Sequence, residues 1–155
     1  MGITQLLRPE AVRLVGSFSS KKRLFQALGE IAASVYGVDA ARAVEALQER
    51  ESLGPTGVGH GIALPHARLQ ELDDVHGIFL RCEKPLAFDA VDRQPVDLVF
   101  ALLAPAGSGV DHLKALAIVS RTLRDPGLCA TLRSNDDPAT LHTLLTDPPR
   151  YRAAS

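Results

Sequence analysis

Apolar residues in the first third of the chain recur every three to four positions. Leu24, Leu28, Ile31 and Ala32 fall on one face of a helix predicted from about Lys21 to Tyr36. Ser19 or Ser20 caps its start and Gly37 ends it. A second helix, over about Asp39 to Glu51, has Ala43, Val44 and Leu47 as its stripe and delivers Arg50 and Glu51 to the mouth of a glycine-rich loop. The pattern then changes. Residues 61–65 read as a short strand or extended segment ending at His66, and Val75 to Cys82 as a strand. Val96 to Leu103 is almost continuously apolar, which predicts a buried central strand. After a loop at Pro105–Gly109, Asp111-His112 opens a helix to about Arg124, with Leu113, Leu116, Ala117 and Val119 expected to pack. Asp125-Pro126-Gly127 is expected to break it. Two short helices follow, Leu128 to Arg133 and Pro138 to Leu145, the second with Asp137 as cap and Pro138 in its first turn.

Helices, then strands, then helices suit a single α/β domain over residues 1–155, with helices covering a mixed sheet. Its core is expected at about 6–147, with 148–155 frayed. The 155 residues are 46% hydrophobic and 23% charged, with a formal net charge of −1. That balance gives no drive toward nucleic acid or an anionic membrane surface. No apolar run approaches the length of a membrane span, and the N-terminus lacks a signal-peptide layout. Two cysteines, Cys82 and Cys129, are too few for a disulfide scaffold and are expected to be reduced packing residues. These features point to the cytoplasm.

The candidate chemistry lies in Gly54-Pro55-Thr56-Gly57-Val58-Gly59-His60-Gly61-Ile62-Ala63-Leu64-Pro65-His66-Ala67-Arg68. The glycines allow sharp turns and close backbone approach to a ligand. Backbone N–H groups, Arg50, Arg68 and an imidazole together suit an anion, phosphate above all. Thr56 offers a hydroxyl and an N–H to phosphate, or simple turn chemistry, and Gly57 is grouped with it as phosphate-binding. A histidine must be neutral to attack phosphorus, and its ordinary pKa of about 6.5 permits that. His60, His76 and His142 are not expected to do chemistry. The loop fails as a nucleotide-binding Walker A motif, because His60-Gly61 stands where Lys and Ser or Thr are required. It fails the dinucleotide fingerprint too. No His-Glu-x-x-His, Cys-x-x-Cys pair or Gly-x-Ser-x-Gly elbow occurs, so neither a metal nor a serine hydrolase site is expected, and no cofactor. Asp89 to Asp97 is read as a turn between strands.

Five blocks in order carry a family resemblance: Ser20-Lys21-Lys22, Arg50-Glu51, the Pro65-His66 block, Phe88-Asp89 to Asp97, and the helix opening at His112. From about Leu6 to Asp147 the chain resembles the type-2 (mannitol, fructose and nitrogen-related) enzyme IIA domains of the bacterial phosphotransferase system. The resemblance implies a mixed sheet with helices on both sides, His66 as phosphate carrier through Nε2, and His112 beside it steadying the phosphate. It implies Arg50 as a phosphate-facing cation and Arg68 as a less specific one. The implied partners are an HPr-like phosphohistidine donor protein and unidentified regulatory targets. Leu6-Leu7-x-Pro9-x-x-Val12 and the single-domain length look more like the nitrogen-related regulator. A sugar-specific transport component and a phosphorylation-dead binding domain of the same fold are the alternatives.

Overall fold

A computed structural model describes residues 2–107 and 109–147. The expectation of a frayed tail at 148–155 lies outside the described residues. The chain opens with a one-turn helix, α1 (Ile3–Leu6), a short 3-10 turn at Pro9–Ala11 and a strand, β1 (Val12–Val15), none of which the apolar pattern predicts. Helix α2 (Lys21–Tyr36) follows the expected bounds: the Ser20 hydroxyl accepts from the Arg23 N–H, and Gly37 closes it at φ 72°. Helix α3 (Ala40–Ser52) is capped by the Asp39 carboxylate and holds Arg50 in its last turn.

The sheet is built around two long strands, β5 (His76–Leu86) and β6 (Val96–Pro105), which pair antiparallel. β1 adds parallel to β5. The other edge of β6 is shared by two short parallel strands, β3 (Ile62–Ala63) at Leu98–Val99 and β4 (His66–Leu69) at Leu102–Pro105. β2 (Gly57–Gly59) closes an antiparallel hairpin onto β3. The sheet is therefore mixed. Residues 98–104 of β6 are all buried, and successive strand side chains point to opposite faces. Layers must then cover both faces of the sheet, which the helices provide.

The region of residues 61–65 differs from expectation. One extended segment ending at His66 is replaced by two strands separated at Leu64-Pro65, with His66 opening the second. Proline has no N–H to give the ladder, so the pairing breaks there, although the Pro65 carbonyl still accepts from Leu102 N–H at 2.9 Å. After the sheet come α4 (Gly109–Leu123), α5 (Pro126–Arg133) and α6 (Pro138–Thr146). The buried face of α4 is His112, Ala115, Val119 and Leu123. Leu113, expected to pack, is 66% exposed, because the helix face is set by His112 turning inward. Asp125-Pro126-Gly127 ends α4 but also begins α5: the Asp125 carboxylate caps it and Pro126 takes the first position, where its missing N–H costs nothing.

Candidate functional site

Strand β4 alternates, with Ala67 and Leu69 buried and His66 and Arg68 on the opposite face. Arg50, at the end of α3, and His112, in the first turn of α4, complete a cleft of about 480 Å³ with them.

The hydrogen bonds assign a tautomer to each histidine. His66 Nδ1 lies 2.8 Å from the Leu64 carbonyl oxygen. A carbonyl only accepts, so Nδ1 carries the proton. The lone pair is then on Nε2, which receives the Arg50 Nε–H at 3.3 Å. Arg50 is oriented by a second bond, from Nη1 to the Gly54 carbonyl at 3.0 Å. His112 has the reverse arrangement. Its Nδ1 accepts from Arg68 Nε at 3.3 Å, so the proton is on Nε2. That Nε2 is buried and has no hydrogen-bond partner among the described residues. The two rings meet edge to face with centroids 5.4 Å apart.

Both imidazoles are held neutral. Burial pushes the His66 pKa below the ordinary histidine value; Arg50 and Arg68 lower it further, against the Leu64 carbonyl and Glu51. His112 is pushed down to about 4, by burial first and then by His66 and Arg68. The cleft therefore presents two unprotonated ring nitrogens, each facing a guanidinium: His66 Nε2 toward Arg50 and His112 Nδ1 toward Arg68. It combines a nucleophile with anion-binding cations. Leu53, on its lining, is 81% exposed, an apolar edge on a charged centre, and Val110 and Leu113, close to His112 in the chain, are 67% and 66% exposed.

Thr56 and Gly57 do not line this cleft. Thr56 is buried, and both its N–H (3.0 Å) and its hydroxyl are given to the Glu51 carboxylate. Gly57 lies in β2 against Ala90, where a Cβ would stand 2.7 Å from the Ala90 methyl, so its role is close packing.

Three contributors are given no site role by the sequence alone. Glu51, with a side chain 7% exposed, binds Lys21 Nζ at 2.9 Å as well as Thr56, joining α2, α3 and the loop below Arg50. Lys21 in turn lies 4.4 Å over the Phe88 ring. The signal was present as three separate motif fragments, Lys21, Glu51 and Phe88, but nothing in their spacing pairs them. The third contributor is the Leu64 carbonyl, a main-chain group that no residue type announces.

The remaining histidines are elsewhere. His60 sits in the hairpin turn at φ 58°, His76 stacks on Tyr36 at 4.2 Å, and His142 Nε2 is 3.0 Å from the Leu7 carbonyl. Cys82 and Cys129 are buried and free. Among the described residues no group of three or more His, Cys, Asp and Glu could hold a metal ion, and no helix is long and apolar enough to cross a membrane.

Residues 5–147 match the family model described as phosphoenolpyruvate-dependent sugar phosphotransferase system, EIIA 2. A nitrogen regulatory protein of Bradyrhizobium diazoefficiens is 44% identical over 153 residues, 99% of this chain and 100% of its own length. One of Escherichia coli K12 is 40% identical over 147 residues, 94% of this chain and 90% of its own. The crystal structure of the nitrogen regulatory protein IIA-Ntr from Neisseria meningitidis superposes with a TM-score of 0.85 at 31% identity, covering 93% of this chain and 99% of that one.

Proposed function

The chain belongs to the EIIA 2 family of the phosphoenolpyruvate-dependent sugar phosphotransferase system, and from that premise we propose that it is a phosphocarrier of the nitrogen-regulatory kind. In this reading His66 Nε2 takes a phosphoryl group from a phosphohistidine on an HPr-like donor protein. The observation that carries it is the 2.8 Å contact between the Leu64 carbonyl and His66 Nδ1, which leaves the lone pair on Nε2.

In the transfer step the Nε2 lone pair attacks the donor's phosphorus. The new N–P bond forms as the donor's N–P bond breaks, and the bonding pair returns to the donor imidazole nitrogen. Throughout, Nδ1–H stays on the Leu64 carbonyl, which stabilises the positive charge that develops on the ring. Arg50 leaves its ground-state bond to Nε2 and turns its guanidinium to the arriving oxygens, with Arg68 close by. Charge spreads over those oxygens in the transition state, so fixed cations stabilise it more than they stabilise the reactants. The buried His112 Nε2–H is a donor without an acceptor, and a phosphoryl oxygen on the neighbouring ring supplies one.

Regulation follows from the apolar edge. A phosphoryl group adds about −1.5 to −2 charges, in the cleft that the exposed Leu53 lines. Partners that bury this apolar edge bind one state, and partners that offer cations bind the other. The relatives named as nitrogen regulatory proteins support a regulatory role, and the two free thiols fit a cytoplasmic setting.

The test is incubation with a reconstituted phosphohistidine donor chain, followed by mapping of the acid-labile label. Label on His66 that vanishes in His66→Ala is expected. Full labelling of His66→Ala contradicts the assignment, and an unlabelled wild type leaves a binding domain of the same fold.

A further inference from the structure

A second cleft, of about 750 Å³, lies between the β2–β3 hairpin and the α4–α5 turn. It exceeds the histidine cleft in volume and falls in the range of about 300–1,000 Å³ typical of small-molecule sites. Val58, Ile62, Leu64, Leu123 and Cys129 supply an apolar lining. Val58 is 49% exposed, which leaves apolar area for an occupant to cover.

The lip is rigid. His60 is a non-glycine residue at φ 58°, a region that side chains disfavour. It is pinned on both sides: its N–H donates to Asp92 Oδ2 at 3.0 Å, and its carbonyl accepts from Arg133 Nη2 at 2.7 Å. Its positive φ, with Gly61 following at φ 78°, is what a two-residue hairpin turn requires.

The charges around the cleft are unequal. Arg133 is neutralised by Asp97, at 2.9 and 3.0 Å. The Asp92 carboxylate accepts from the His60 and Gln94 N–H groups, and that of Asp125 from Gly127 and Leu128. Arg124, on the lining, has no ion pair among the described residues. An apolar hollow with one unspent guanidinium is complementary to a small acid with an apolar body.

Leu64 connects the two clefts. It lines this one, and its carbonyl orients His66 in the other.

We propose that this cleft binds a small organic monoanion with a branched or aromatic body, its acid group on Arg124, and that occupancy alters phosphoryl uptake at His66 through Leu64. The coupling rests on the phosphocarrier reading, whereas the binding does not.

The test uses the full chain and four probes: 4-methylpentanoate and phenylacetate, with their uncharged amides as controls. In 1H–15N spectra the two acids are expected to shift Val58, Gly59, Ile62 and Leu123 to Cys129 at concentrations below about 10 mM, with the amides and the exposed-site variant Arg124→Gln weaker by about tenfold. No shifts, shifts confined to the Arg50 and Arg68 cleft, or amides equal to acids overturn the site. The phosphoryl uptake rate under saturating acid is expected to change at least about twofold in the wild type and not in Arg124→Gln; an unchanged rate with the probe bound overturns the coupling. A chain that takes up no phosphoryl group without probe contradicts the phosphocarrier reading instead, and the spectra still report binding.

Discussion

Leu64 and His66 are two residues apart, and the carbonyl of the first lies 2.8 Å from Nδ1 of the second. The break in strand pairing at Pro65 makes that contact possible, because the chain leaves β3 and rejoins β6 as β4. A backbone feature of the sheet thereby sets which ring nitrogen carries the lone pair, and a main-chain acceptor cannot be removed by a side-chain substitution.

Arg50→Lys is expected to fold normally and to take up phosphate about ten to a hundred times more slowly. Lysine keeps the charge but not the fork that reaches His66 Nε2 and Gly54 together. Charge-assisted hydrogen bonds of this kind contribute about 1.5–3 kcal/mol. Stopped uptake assays beside a thermal melt check it; a wild-type rate makes Arg50 a helix cap only.

His112→Ala is expected to remain folded and to lose about 10²–10³ in transfer rate, the usual cost of an aligned donor to developing charge. Its Nε2 has no partner to forfeit in the unphosphorylated protein. Equal rates for variant and wild type, forward and reverse, reduce His112 to a packing residue.

Glu51→Gln is expected to cost about 1–3 kcal/mol in urea unfolding, since the buried carboxylate serves Lys21 and both donors of Thr56. Gly57→Ala is expected to cost a similar ~1–3 kcal/mol by overpacking against Ala90 and Phe88. A Gly57→Ala protein of wild-type stability shows that β2 has room the structure does not contain.

The pH dependence has a definite sign. His112 titrates at about 4 in the folded chain, below the ordinary histidine value of 6.5, so the unfolded state binds more protons between those values. Stability is fully present above about pH 6.5 and is lost as pH falls through that window toward 4. The thermal midpoint of the wild type is expected to fall more steeply there than that of His112→Gln; parallel profiles contradict the shift.

Much of this molecule is legible in its sequence, but unevenly. Helix α2 is readable to the residue because its signals are local: a capping serine, a 3.6-residue stripe and a terminating glycine. The continuous apolar run of β6 likewise identifies a central strand. β1 and β2 are too short for a period to register, and they exist only because β5 and β3 offer an edge. On α4 the stripe is misread by one position because a histidine, not a leucine, faces inward. At the site, His66, His112, Arg50 and Arg68 stand out as residue types beside a glycine loop, and they do converge. By residue type the Thr56 hydroxyl suits phosphate as well as carboxylate, and only the fold brings Glu51 to it.

In the proposed transfer His66 is a nucleophile through Nε2 with its proton held on Nδ1. Long-range 1H–15N correlation spectra of the protein, before and after phosphorylation by a donor chain, test it most directly. A neutral Nδ1–H tautomer is expected beforehand and a phosphorus-bound Nε2 on His66 afterwards, with His112 unmodified. Phosphorus on Nδ1 of His66, or on either nitrogen of His112, contradicts it.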